Sequence, residues 1–144
     1  GIRSMQVSRD GARVAALVSV RGRTELWVAG IRRDDVQDGG QIEFGERLVV
    51  TTELGEGLDL AWLDDTTIDG LERVDGDLRL RQQTVGGLGT DLTVPAGSVR
   101  TVGGNGSPRL LTEEGAVYNR QGTVWQQSGL AVHVLAVQLG VPTP

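Results

Sequence analysis

The feature that most constrains this chain is its punctuation. Short runs rich in Val, Leu, Thr and Trp alternate with breaks built on Gly, Asp and Asn. The breaks recur at a spacing of roughly 8–12 residues, the pattern of an all-β sandwich, barrel or propeller, and helical periodicity is almost absent. Arg9-Asp10-Gly11, Val74-Asp75-Gly76 and Glu113-Glu114-Gly115 each end in Gly between extended runs, and Gln121-Gly122 adds a fourth. A tight hairpin needs positive φ at its centre, which favours Asp-Gly pairs. Strands are expected over Ser4–Val7, Arg13–Val20, Glu25–Ile31, Ile42–Val50, Leu58–Trp62 and Thr67–Arg73, then over Asp77–Gln83, Asp91–Val94, Val99–Val102, Arg109–Thr112, Ala116–Asn119 and Thr123–Gln127. The tail Leu130–Leu139 reads equally as a strand or a short helix.

Three stretches share one layout. Met5–Ile31 runs strand, Ser8-Arg9-Asp10-Gly11, strand, Arg21-Gly22 turn, strand. Leu58–Gln83 runs strand, Leu63-Asp64-Asp65-Thr66, strand, Asp75-Gly76 turn, strand. Val99–Gln127 runs strand, Gly103-Gly104-Asn105-Gly106, strand, Glu114-Gly115 turn, strand, Gln121-Gly122 turn, strand. One supersecondary unit is thus written about three times, at the roughly 40–50 residues of a four-stranded propeller blade. The expected fold is all-β: antiparallel four-stranded blades of a β-propeller, about three of them, forming an incomplete ring. Residues 1–144 make one partial propeller domain, with blades at approximately 1–53, 54–97 and 98–139. A ring takes about four to eight blades, so the end faces of this wedge should be large and apolar unless more propeller or a second copy covers them. Trp27 and Trp62 sit mid-strand among apolar neighbours and are expected between blades.

Composition narrows the chemistry. The chain has 144 residues, enough for one domain with a real core. It has no Cys, so disulfides, zinc knuckles, iron–sulfur clusters and thiol nucleophiles are out. A single His, His133, leaves no His-rich metal site. All 14 basic residues are Arg, scattered among Asp and Glu, and the net charge is −5. No basic stripe marks a nucleic-acid surface. The most apolar stretch, Leu130–Leu139, contains His133 and Gln138 and is too short to span a bilayer. No signal peptide is recognisable. Beginning at Gly1 rather than Met, the sequence reads as excised from something longer.

The candidate catalytic residues each have a plainer reading. Adjacent carboxylates occur at Asp34-Asp35, Asp64-Asp65 and Glu113-Glu114. A glycosidase needs two carboxyls facing one cleft, roughly 5–9.5 Å apart. Neighbours on a strand face opposite ways, and all three pairs sit at turn signals, so a catalytic pair would have to form across blades. Gly86-Gly87-Leu88-Gly89 and Gly103-Gly104-Asn105-Gly106 lack the Lys of a phosphate loop and precede no helix, which makes them connecting turns. His133, within Ala131-Val132-His133-Val134-Leu135, has no Ser or Asp motif for company and reads as structural. Asp75-Gly76-Asp77 matches a calcium loop only over three residues and reads as a hairpin. No catalytic, cofactor-binding or metal residue is assigned, and no cofactor is implied.

Ser8-Arg9-Asp10-Gly11, followed by Arg13–Leu17 and Glu25-Leu26-Trp27-Val28, resembles the blade signature of TolB/WD40-like propellers. Together with Ile2-Arg3-Ser4-Met5, Leu58–Thr67 and Thr84-Val85-Gly86-Gly87, it resembles the C-terminal propeller of the LpqB family of actinobacterial lipoproteins, over most of residues 1–127. The resemblance implies a lipid-anchored extracytoplasmic protein with a sporulation-type domain before the propeller. It also implies an accessory role to the MtrA–MtrB two-component system, through contact with the extracytoplasmic domain of the sensor histidine kinase. The lipobox Cys is not in this sequence, so membrane attachment would come only through an anchor outside it. The leading expectation is a non-catalytic protein-interaction module. The alternative is a propeller hydrolase or lyase acting on an extracellular glycan, and a third reading is a propeller that senses a small molecule in a central pocket. Propellers host all of these, so fold alone does not choose.

Overall fold

A computed structural model describes residues 1–33, 42–103 and 106–131. Asp34-Asp35, His133 and the tail from residue 132 lie outside the described residues. Every regular element described is a strand: β1 Ile2–Val7, β2 Arg13–Val20, β3 Arg23–Arg33, β4 Ile42–Phe44, β5 Leu48–Leu54, β6 Glu56–Trp62, β7 Thr67–Val74, β8 Asp77–Thr84, β9 Gly89–Thr93, β10 Ser98–Val102, β11 Arg109–Thr112, β12 Ala116–Gln121 and β13 Val124–Ala131. They form three antiparallel meanders, β1 to β5, β6 to β9 and β10 to β13. We refer to these as blades 1, 2 and 3. The described sheets do not close into a ring.

Blade 1 departs from the four-stranded expectation. The run Ile42–Val50 is two strands, β4 and β5, and both pair with β3. The eleven-residue β3 accommodates both, β4 along Ile31–Arg33 and β5 along Thr24–Val28. The break falls at Gly45, whose N–H donates to the Gly30 carbonyl at 2.8 Å.

The turns explain why the strands pair as they do. Arg21-Gly22 and Asp75-Gly76 each place two successive residues at positive φ (49° and 84°, 51° and 87°). Both residues of a type I′ turn need that sign, and such a turn matches the right-handed twist of the strands it joins. Asp10-Gly11 differs from the tight hairpin expected of it. Ser8 to Ala12 form a longer loop in which the Asp10 carboxylate accepts from the Ser8 hydroxyl at 2.6 Å and the Ala12 N–H at 3.0 Å. The Ser8 hydroxyl oxygen in turn accepts from the Arg13 N–H at 3.1 Å. The loop is thus closed by side chains, with Gly11 supplying the left-handed residue at φ 73°.

Blades stack through their faces. β6, the first strand of blade 2, lies between β1 and β10, the first strands of its neighbours, as in a propeller. Seam one joins blades 1 and 2: Ala15, Leu17, Leu26, Val28 and Leu54 meet Leu60, Trp62 and Ile68. Seam two joins blades 2 and 3: Leu71, Leu80 and Leu110 pack with Leu58, Leu92, Tyr118 and Trp125. Trp62 lies between blades as expected, 5 % exposed. Trp27 does not; it is half-buried on the other face of blade 1, because alternation along β3 sends its neighbours Leu26 and Val28 into the seam instead.

Two substitutions test this architecture. Gly76→Val meets no steric obstacle, since nothing lies within 4 Å of a Cβ there, so its cost of roughly 1–2 kcal/mol should come from backbone strain alone. Trp62→Ala should cost about 3–5 kcal/mol through the cavity it opens in seam one. Chemical denaturation of each variant measures both.

Candidate functional site

The rear face of blade 1, the face away from blade 2, is the most distinctive surface of the molecule. Residues directly opposite in an antiparallel pair share a face. The pairs Met5 with Ala16, Val7 with Val14, Ala16 with Trp27 and Trp27 with Val49 therefore line up one apolar band across β1, β2, β3 and β5. Met5 and Val7 are each 52 % exposed and Val49 is 41 % exposed. Among the described residues, no second sheet packs on this face.

The equivalent faces of the other blades are covered. Leu60, Trp62 and Ile68 on the rear of blade 2 are buried by blade 1, and Leu110, Tyr118 and Trp125 on the rear of blade 3 pack against blade 2. The indoles follow the same logic. Trp62 donates its Nε1–H to the Gln6 carbonyl of blade 1 at 3.0 Å, and Trp125 donates to the Thr93 carbonyl of blade 2 at 2.7 Å. Trp27, with no described blade behind it, donates to Glu25 of its own strand at 2.9 Å. Arg47 lies over the Trp27 ring, 4.2 Å from its centroid, and Arg23 pairs with Glu25 at 3.4 Å. An apolar band edged by a Trp–Arg stack and an ion pair has the makeup of a protein-binding surface.

Several buried carboxylates escaped the sequence reading. Glu72 on β7 is fully buried, accepts from Arg79 Nη2 at 3.1 Å and takes the Gly55 N–H at 3.3 Å. Burial raises its pKa, and Arg79 pulls the other way. Arg79 and Arg81 also reach Asp91, at 3.8 and 3.6 Å. Asp59 on β6 accepts the Thr101 N–H of blade 3 at 2.9 Å, tying seam two; burial raises its pKa against the pull of that bond. Asp69 on β7 is, like Glu72, fully buried. The signal available was weak: in Ile68-Asp69-Gly70-Leu71-Glu72 both strand faces mix charged and apolar residues, so a period of two separates nothing.

The residues singled out from sequence do not converge. Asp64 is a turn acceptor for the Thr66 and Thr67 N–H groups and the Thr66 hydroxyl. Partial desolvation works against its ionisation, but those donors outweigh it and hold its pKa low. Asp65 is exposed beside it. Glu113-Glu114 form the exposed turn between β11 and β12. Gly86 to Leu88 connect β8 to β9, and Gln83 Nε2 donates to the Thr84 and Gly87 carbonyls, which makes this a hairpin turn and not an anion cradle. Of Gly103 to Gly106, residues 104 and 105 lie outside the described residues; Gly106 donates its N–H to the Leu63 carbonyl, docking this connection onto blade 2. Asp75-Gly76-Asp77 is the β7–β8 hairpin. Among the described residues, no three His, Cys, Asp or Glu side chains gather at one point. An open groove of about 540 Å³ along seam two mixes Arg73, Arg79, Asp77 and Glu113, so it selects no ligand charge.

The family model of the lipoprotein LpqB beta-propeller domain matches residues 1–134. No curated protein and no solved structure matches the chain.

The buried Glu72–Arg79 pair gives a pH-dependent expectation. Arg79→Ala leaves the Glu72 carboxylate buried with only the Gly55 N–H, a cost of about 3 kcal/mol at pH 8. Because burial already raises the Glu72 pKa, the variant relieves itself by protonating, so the cost should shrink as pH falls toward 5. Urea titrations of both proteins at the two pH values check this.

Proposed function

Because the chain belongs to the lipoprotein LpqB beta-propeller domain family, we propose that it is a non-catalytic protein-interaction module of an extracytoplasmic lipoprotein, serving a two-component sensor kinase of the MtrA–MtrB type. The observation that carries this reading is the rear face of blade 1, which no described element covers. Met5, Val7, Trp27 and Val49 present an apolar band flanked by Arg47 and the Arg23–Glu25 pair, on a rigid sheet whose opposite face is fixed in seam one. Rigid presentation limits the entropy lost on association, and an aromatic–Arg cluster supplies the anchor that interfaces concentrate their energy in. The partner is the extracytoplasmic domain of the sensor kinase, and attachment to the membrane is through a lipid anchor outside this sequence.

The glycan hydrolase or lyase reading gains nothing from the carboxylates. Asp59 and Asp69, the two aspartates on the blade 3 side of blade 2, lie within seam two, and Asp69 has no exposed surface through which a sugar could reach it. The acidic, Lys-free surface disfavours nucleic acid and anionic lipid headgroups.

Calorimetric titration against the extracytoplasmic kinase domain tests the proposal. Binding with a Kd below ~100 μM is expected, with about 800 Å² buried per partner for an interface of standard size. Met5→Asp, on an exposed strand face, should weaken it at least about tenfold while leaving the circular dichroism spectrum unchanged. Absence of binding together with turnover of a glycan or ester would support the enzyme reading instead. Two copies could also pair through this face; sedimentation equilibrium of the free chain separates self-association from kinase binding.

A further inference from the structure

Seam two contains a group that the interaction reading leaves unused. Asp69 stands in the middle of β7 with a relative exposure of 0 %. Neither of its carboxylate oxygens has a hydrogen-bond partner of ordinary geometry. Its register partners are Ala61 on β6 and Gln82 on β8, and alternation puts it on the face of Leu71 and Leu80, which blade 3 covers.

Among the described residues, the surroundings offer no positive charge. On β6, Asp59 lies two places from Ala61 on the same face and is itself an acceptor for the Thr101 N–H. On β8, Gln82 is the facing residue, while Arg79 and Arg81 turn to the opposite face with Glu72 and Asp91. β10 packs on both β6 and β7 and contributes Thr101, whose hydroxyl oxygen is also buried without a partner; its one cation, Arg100, is exposed. Asp64, at the turn into β7, adds negative potential. An ionised Asp69 would be a bare charge in an apolar seam, which costs far more than a neutral acid that can both donate and accept.

We propose that Asp69 is a proton-operated latch on the blade 2–blade 3 seam: protonated, it lets the two sheets close, and ionised, it loosens them. Burial pushes its pKa up to about 7, the Gln82 side chain pulling weakly the other way and Asp64 adding to the rise. The folded value lies above the ordinary 3.8, so the folded seam holds the proton more tightly than the open chain. The stabilisation is therefore complete below about pH 4 and is lost as pH rises through 7. Blade 3 swings on a signal that the medium itself carries, while on the seam one face of blade 2 the buried acid, Glu72, already has Arg79 as its counter-ion at 3.1 Å.

The indoles report on the two seams separately. Trp125 donates across seam two and Trp62 across seam one. Hydrogen exchange of both indole N–H groups and of the Thr101 amide, followed by NMR on the whole chain from pH 5 to 8.5 and corrected for intrinsic exchange, tests the latch. Protection at Trp125 and Thr101 should fall by about tenfold or more between pH 5 and 7 and level off above that, and protection at Trp62 should stay level. Asp69→Asn should abolish the transition, whereas Asp59→Asn should keep it. If the Asn variant does not fold, Asp69→Leu takes its place. A wild-type protein whose Trp125 and Thr101 protection does not vary with pH overturns the proposal, as does a transition that survives replacement of Asp69 or disappears with Asp59→Asn.

Discussion

Everything in this structure depends on one requirement: the apolar rear faces of blades 2 and 3 must each be buried by the front face of the blade before it. A four-stranded sheet with two hydrophobic faces is not stable in water by itself, and stacking supplies what it lacks. Seam one does this with aliphatic side chains from blade 1 closing over Leu60, Trp62 and Ile68. The approach is close enough to demand glycine. A Cβ on Gly57 would press on Thr24 Cγ2 at 2.7 Å, and one on Gly103 would run into the backbone of Trp62 and Leu63. Three backbone N–H groups find acceptors across the seams: Gly57 with Thr24 Oγ1, Thr101 with Asp59 and Gly106 with the Leu63 carbonyl. Such bonds add modestly to stability, but they fix the angle between sheets, because leaving one unmade inside a seam is costly.

The same requirement makes the ends of the stack different from its middle. Blade 2 has both faces occupied. Blade 1 has an occupied front and, among the described residues, an uncovered rear, and the fate of Trp27 shows the consequence. Where Trp62 and Trp125 reach into the preceding blade, Trp27 folds back on Glu25 and takes Arg47 as its cover. The open face is thus partly pre-arranged, with its one buried acid, Glu25, already paired to Arg23 and to the indole. A partner that buries this face finds its buried acid already paired, which lowers the cost of desolvating it.

Much of the fold was legible because turns speak locally. Asp75-Gly76 and Arg21-Gly22 encode positive φ in two residues, and the strands around them follow. The threefold layout, and with it the family, could be read from such turns and the runs between them. The blade face that a Trp occupies could not. Trp27 and Trp62 look alike in sequence, each flanked by aliphatic residues, yet one enters a seam and the other lies behind it, because the bulge and strand phase that decide this are set by pairing across strands. The fifth strand of blade 1 was hidden for a similar reason: β4 and β5 are distinct only in how they pair with separate stretches of the one long β3. Asp69 and Glu72 were the least legible of all. They lie on opposite faces of β7, each beside apolar residues, so alternation marks neither as buried and only the covering of both blade 2 faces makes them so.

The central claim is that the rear of blade 1 is the surface this module offers to another protein. Hydrogen-exchange mass spectrometry of the chain with and without the extracytoplasmic domain of the sensor kinase tests it most directly. The account predicts added protection over residues 2–7, 13–20 and 23–29, with β7, β8 and the seams unchanged. Protection confined to blades 2 and 3, or to the loops at the outer ends of the sheets, would contradict it.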